Sequence, residues 1–102
     1  MTDLRLIHNP ERSRYEAWLD DELAGVADYQ LGDRVVVLPH VEVDPAFRGH
    51  GIGGQLTRFA LDDIAADGTR DVLPLCPFVA SWIRLHPDYH GLVREPGSAN
   101  RR

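Results

Sequence analysis

The apolar residues of this chain change their spacing abruptly near its middle. Residues 34–43 are rich in β-branched side chains, which favours a strand. Over residues 51–67 the apolar positions instead follow helical spacing, at Ile52, Leu56, Phe59, Ala60 and Ile64. Three glycines, Gly49, Gly51 and Gly53, lie within five residues at the change of period. The sequence therefore predicts a strand that turns sharply into an amphipathic helix.

The residues before this junction alternate between apolar and polar, which is typical of strands. We predict strands over residues 4–8, 13–20, 23–31 and 34–43, joined as an antiparallel meander. Asp20-Asp21-Glu22 is expected to form a hairpin turn, and Gly32-Asp33, a glycine-first pair, a type II′ turn. In the second strand Tyr15, Ala17 and Leu19 share one face, and Glu16, Trp18 and Asp20 the other. In the third strand the shared face carries Leu23, Ala27, Tyr29 and Leu31.

The residues after the first helix predict one more strand and one more helix. Gly68 is a suitable helix stop, residues 71–76 form a short strand, and Pro77 suits the first turn of a helix that ends before His86-Pro87. The apolar stripe of this helix comprises Phe78, Val79, Trp82 and Ile83, with Trp82 interpreted as a packing residue. The order β-β-β-β-α-β-α implies a right-handed crossover and a parallel strand pair. The predicted fold class is α+β, a mixed sheet with two helices.

Length, charge and cysteine content limit the classes of function. The chain has 102 residues, enough for one domain, which we place at residues 1–94 with a disordered tail at 95–102. The formal charge of −5 argues against a general nucleic-acid binder. No apolar run could span a membrane, and the N-terminus lacks a signal peptide's apolar core. One cysteine cannot form an internal disulfide, so a cytoplasmic location is expected. The protein is also expected to be a monomer or a weak dimer. The histidines lack zinc-site spacing, so no metal is expected.

The glycine-rich junction is the candidate binding site. Glycine allows unusual backbone angles and close approach of a ligand, and the first N–H groups of a helix are unpaired and carry the positive end of its dipole. Such a junction binds phosphate readily, and Arg48 adds a fixed charge. A tight turn that needs glycine only for its geometry is the alternative. Neither the Walker loop nor the dinucleotide fingerprint matches this glycine spacing.

The segment Arg48-x-x-Gly51-x-Gly53 resembles the R/Q-x-x-G-x-G/A motif of the GNAT superfamily of N-acetyltransferases. The Cys76-Pro77 segment that follows is similar to a small single-domain branch of that superfamily, and the resemblance covers residues 13–93. It departs from full-length relatives in lacking the final strands that carry a catalytic tyrosine. The resemblance implies acetyl-coenzyme A as acyl donor and an amine acceptor. The residues it implies for coenzyme A binding are Val43, Arg48, Gly49, His50, Gly51, Ile52, Gly53 and Gly54.

The resemblance also implies that the pantetheine arm runs between two splayed parallel strands. Pro39 and Pro74 lie in those strands, and proline is normally excluded from central strands, so both suit a split; ordinary bulges or strand ends are the alternative.

Three residues are candidates for catalysis. Glu42 and His40 lie two apart on one strand and share a face, so either could accept a proton from an ammonium group, although a solvent-facing pair is equally expected. Cys76 precedes a helix whose N-terminus would favour a thiolate; a buried packing cysteine is its alternative role. The expected function is acetyl transfer to an unidentified amine. The alternatives are a coenzyme A or acyl-coenzyme A binding module with little turnover, and a protein-interaction domain.

Overall fold

The computed structural model describes residues 3–94, which form one five-stranded mixed sheet and two main helices. The strands are β1 (Leu4–Asn9), β2 (Arg14–Leu19), β3 (Glu22–Leu31), β4 (Val35–Val43) and β5 (Asp71–Pro74), and the helices are α1 (Ile52–Asp67) and α2 (Pro77–Arg84). Short 3-10 helices cover Pro10–Arg12, Pro45–Phe47 and Pro87–Leu92. The strands lie in sequence order, antiparallel except for the parallel pair β4–β5. The predicted fold class and element order are confirmed. The expectation of a disordered tail at residues 95–102 lies outside the described residues.

The hydrophobic core lies between the helices and one face of the sheet. Helix α1 contributes a stripe at helical spacing, in which Leu56 and Leu61 are fully buried. Burying a leucine side chain contributes about 1.5–3 kcal/mol, so this stripe holds the helix on the sheet. The helix ends where Gly68 adopts a left-handed conformation (φ 75°) and donates its N–H to the Ile64 carbonyl. The predicted glycine stop is confirmed. No helix within residues 3–94 is long and apolar enough to cross a membrane.

The turn after β3 differs from the prediction. A type II′ turn requires a positive φ at its first residue, but among the described glycines only Gly49, Gly51 and Gly68 have one. The connection contains three residues, 32–34, and the Gly32 N–H donates to the Val35 carbonyl at 2.7 Å. The type II′ prediction was wrong because the third loop residue closes the hairpin without that backbone geometry.

A bulge in β3 changes which of its residues face the core. Trp18 pairs with Leu23 and Ala17 with Gly25, so Ala24 is an extra residue between two registers. Ala24 is consequently buried, whereas Leu23 is only partly buried. The prediction that Leu23 shares a face with Ala27, Tyr29 and Leu31 was wrong, because a bulge shifts the alternation by one residue.

Glu16 is buried although it lies on the sheet face that the helices do not cover. It is 2% exposed, and its carboxylate accepts hydrogen bonds from Asn9, Arg14 and Trp18 at 2.7–3.0 Å. Burial by itself would raise the pKa of Glu16, but these three hydrogen bonds outweigh it and lower the pKa below its usual value. The ionised carboxylate therefore ties β1 and β2 together.

Candidate functional site

Strands β4 and β5 separate halfway along β4. Their pairing runs from Val35–Asp71 to Leu38–Pro74 and stops there, while β4 continues for five more residues to Val43. The Leu38 carbonyl accepts the last two bonds, from the N–H groups of Leu75 and Cys76 at 3.1 and 3.0 Å. Pro74 is the final residue of β5, and Pro39 lies at a register shift against β3. The two prolines thus stand where the strands part, and Pro39 also coincides with a bulge.

The separation leaves one backbone edge of β4 open. The Asp44 N–H donates to the Ala24 carbonyl of β3, and successive residues of a strand point their backbone groups to opposite sides. Glu42 and His40 therefore direct their N–H groups towards β3, and Val41 and Val43 direct theirs towards the gap left by β5. A bound molecule lying along this edge would meet unpaired backbone donors and acceptors.

The glycine turn leads from this open edge into α1. Gly49 and Gly51 have φ values of 89° and 71°, which L-residues with a side chain rarely adopt. No atom lies within 4 Å of the position of a Cβ at either residue, so the space beside the turn is open. No side chain caps α1, and the N–H groups of Ile52, Gly53 and Gly54 have no acceptor within residues 3–94. These donors and the helix dipole make the turn attractive to an anion.

Gly53 and Gly54 have a different role from Gly49 and Gly51. A Cβ at Gly53 would lie 3.1 Å from the Phe78 ring, and one at Gly54 would lie 3.3 Å from the Trp82 Nε1. The absence of side chains therefore lets the first turn of α1 pack closely against α2. The alternative that glycines serve geometry alone accounts for Gly53 and Gly54. It does not account for the uncapped donors beside Gly51.

Two overlapping clefts follow the open edge and the turn. One, of about 370 Å³, is lined by His40, Val41, Glu42, Val43, Arg48, Gly53 and Phe78. The other, of about 230 Å³, is lined by Val43, Phe47, Arg48, Gly49, Gly51, Ile52, Gly53, Gly54 and Phe78. Because four residues line both, they form one groove, which we call the β4–α1 groove. It brings together every residue proposed from the sequence except His50 and Cys76.

A family model described as GCN5-related N-acetyl-transferase matches residues 14–92. The chain belongs to the GCN5-related N-acetyltransferase family. It is 29% identical over 87 residues to Protein NATD1 of Mus musculus, an alignment that covers 82% of this chain and 77% of that protein. Protein NATD1 of Homo sapiens gives the same identity with 75% of its length covered, and that of Xenopus tropicalis is 27% identical over 89 residues. The resemblance seen in the Arg48–Gly53 motif is thus confirmed as family membership.

His40 and Glu42 form a polar pair in the β4–α1 groove of this acetyltransferase-family protein. The His40 Nε2 lies 3.1 Å from the Glu42 Oε1, and the two side chains are 53% and 66% exposed. The strand pairs them with Asp28 and Val26 of β3, while Val41 and Val43 pack against the core on the other face. The pair is accessible to a ligand at the open edge and is pre-oriented by its own hydrogen bond.

Cys76 lies at the N-terminus of α2 but points into the protein. It is 5% exposed and belongs to the hydrophobic core, and it is absent from the lining of the β4–α1 groove. Strand β5 ends at Pro74 rather than at the predicted Cys76, so Cys76 is the residue that precedes the helix. Of the two roles considered for its thiol, burial favours packing.

We therefore expect Cys76 to react slowly with a thiol reagent in the native protein, at a rate that coenzyme A leaves unchanged. Cys76→Ala should change the rate of amine-dependent coenzyme A release by less than about twofold. Cys76→Ser should lower the free energy of unfolding by about 1–3 kcal/mol, because it places a hydroxyl in an apolar site. Mass spectrometry of labelled protein and urea unfolding would measure both. Fast labelling that coenzyme A blocks would restore the catalytic role.

Phe78 is a residue of the groove that the sequence pattern assigned elsewhere. Its helical spacing with Val79 and Trp82 predicted a buried stripe, but Phe78 is 46% exposed and lines both clefts. It stands in the first turn of α2 beside the fully buried Val79, and its ring lies next to Gly53 of α1. Helical periodicity identifies a shared face but not how far around the helix the covering residues extend.

Proposed function

We propose that this protein is an acetyl-coenzyme A-dependent N-acetyltransferase that acts on an amine. The observation that carries the proposal is the β4–α1 groove, in which an open strand edge, an uncapped helix N-terminus and an exposed carboxylate are continuous. Membership of the acetyltransferase family supports the same class of reaction.

The hydrogen-bond donors along the groove match coenzyme A from its pyrophosphate to its pantetheine arm. The N–H groups of Ile52, Gly53 and Gly54, with the guanidinium of Arg48, would hold the pyrophosphate. The first turn of α1 carries no acidic side chain that would repel it. The open edge of β4 at Val41 and Val43 would hydrogen-bond the amide groups of the pantetheine arm, much as a further strand would. This arrangement directs the acyl end towards Leu38 and Pro74, where the strands diverge.

The chemistry required of the protein is modest. Bound acetyl-coenzyme A supplies the acyl group as an activated thioester. Glu42, directly or through water, takes a proton from the incoming ammonium, and His40 orients the carboxylate. The neutral nitrogen then forms a bond to the acyl carbon as the carbon–sulfur bond breaks, and the sulfur leaves as a thiolate that takes up the proton that this nitrogen loses. The Val41 N–H, the gap-facing donor nearer the acyl end, would stabilise negative charge on the carbonyl oxygen, leaving the Val41 carbonyl and the backbone groups of Val43 for the pantetheine arm. Holding both reactants in one groove supplies orientation.

Calorimetric titration with acetyl-coenzyme A, followed by a coenzyme A release assay over a panel of amines, tests this function. We expect binding, and release that exceeds hydrolysis only when an accepted amine is present. Binding without amine-dependent release would identify a binding module instead. An absence of binding would refute the proposed cofactor.

A further inference from the structure

An aromatic cluster of Trp82, His86 and Tyr89 lies beside the first half of α1, and Arg58 extends over it. Trp82 and His86 are stacked, with ring centroids 3.7 Å apart, and Tyr89 lies 5.3 Å from Trp82. The Arg58 Cζ lies 5.1 Å from the Trp82 ring centroid and 5.7 Å from that of Tyr89. Cation–π attraction to two rings holds the guanidinium in one place.

Most N–H donors of the Arg58 guanidinium form no hydrogen bond within residues 3–94. Its Nη1 donates to the Tyr89 hydroxyl at 3.2 Å, and that hydroxyl donates to Asp62 at 2.6 Å. The Asp62 hydrogen bond raises the pKa of Tyr89, which keeps the hydroxyl protonated. A guanidinium has five N–H donors, so four of those of Arg58 have no acceptor within residues 3–94.

Arg58 also has no carboxylate partner within 4.0 Å among residues 3–94, unlike Arg14 and Arg94, which are paired with Glu16 and Asp71. Most arginines within residues 3–94 likewise lack such a partner, but Arg58 is the one among them whose guanidinium lies over aromatic rings. Its position is set by aromatic contacts, and its charge is left available to an anion.

The position of Arg58 relates it to the anion-binding turn. It follows Gly54 by four residues on α1, one helical turn or about 6 Å of rise. Trp82, over which it lies, contacts the same first turn, with its Nε1 3.3 Å from the position of a Cβ at Gly54. The backbone of Arg58 therefore lies about one turn beyond the donors that would hold a pyrophosphate, and its guanidinium lies over Trp82, on the side of α1 that faces α2. In coenzyme A the 3′-phosphate is separated from the pyrophosphate by one ribose ring, a comparable distance.

We propose that Arg58, held on Trp82 and Tyr89, binds the 3′-phosphate of coenzyme A and makes the protein select coenzyme A over 3′-dephospho-coenzyme A. The inference rests on the proposed function, because it assumes a coenzyme A pyrophosphate at the glycine turn. The guanidinium offers two parallel N–H groups to the phosphate oxygens, which is the geometry that arginine favours.

Calorimetric titration of the wild-type protein and Arg58→Gln with coenzyme A and with 3′-dephospho-coenzyme A tests the assignment. We expect the wild type to bind coenzyme A about tenfold or more tightly than the dephospho form, since hydrogen bonds between charged groups are among the stronger ones. Arg58→Gln should lose that preference and keep its affinity for the dephospho form. Arg12→Gln, the same change at the opposite edge of the sheet, should behave as wild type.

Two results would overturn the inference and leave the proposed function intact. One is equal affinity of the wild type for both ligands, a measurement that does not depend on whether any variant folds. The other is an Arg58→Gln protein that loses affinity for both ligands by the same factor, since that would indicate a general effect on the turn. Failure of the wild type to bind either ligand would instead refute the proposed function, and this inference with it.

Discussion

Replacing Glu42 by glutamine is expected to slow acetyl transfer about 100-fold or more, the usual scale for loss of a general base, while coenzyme A affinity stays unchanged. Glutamine has nearly the same shape and cannot accept the proton of an ammonium group. Glu42 lies on the exposed face of β4, whereas the donors proposed for the cofactor are backbone groups of Val41, Val43 and the turn. The substitution should therefore separate rate from binding, which amine-dependent coenzyme A release and calorimetry would measure.

Glu11→Gln is a matched control, because Glu11 is an exposed carboxylate in the 3-10 helix between β1 and β2, at the far edge of the sheet. It should leave both the rate and the affinity unchanged. His40→Gln should reduce the rate less than Glu42→Gln does, because the role proposed for His40 is to orient the carboxylate through their hydrogen bond. A rate within twofold of wild type in Glu42→Gln would mean that the proton is lost to water or to another group.

Replacing Gly51 by valine is expected to weaken coenzyme A binding about 100-fold or more. Gly51 has a φ of 71°, and valine strongly disfavours that conformation, so the turn must rearrange. Rearrangement moves the N–H groups of the first helical turn, and each hydrogen bond to a charged group contributes about 1.5–3 kcal/mol. The side chain would also occupy the open space beside the turn. Calorimetry on the folded variant measures the loss.

Gly68→Val is a control that distinguishes the effect of backbone strain from the loss of the phosphate site. Gly68 has a φ of 75° at the other end of the same helix, and only the Ala65 carbonyl lies within 4 Å of its Cβ position. Both variants should lose a similar amount of stability, about 1–3 kcal/mol for a strained backbone. Only Gly51→Val should lose binding. If both variants bind coenzyme A as tightly as wild type, the turn is not the phosphate site.

Local sequence patterns predicted the architecture because each depends on near neighbours. Alternation in residues 13–20 identified a strand, the Ile52–Ile64 spacing identified α1, and Gly68 marked its end, all without knowledge of distant contacts. The parallel pairing of β4 and β5 followed from the chirality of a strand–helix–strand connection. The failures at Leu23 and Gly32 were also local in origin, since one extra residue in a strand or loop changes the register and the backbone angles required.

The sequence by itself determined the elements, their order and the position of the glycine turn, because periodicity, glycine and proline act through the backbone of a few adjacent residues. Only the tertiary structure decided which side chains share the groove. It buried Cys76, exposed Phe78, enclosed Glu16 among three donors, and stacked Trp82 between α1 and the residues that follow α2. These outcomes depend on where a strand pairing stops and how closely two helices approach, and such long-range contacts leave no periodic trace in the chain.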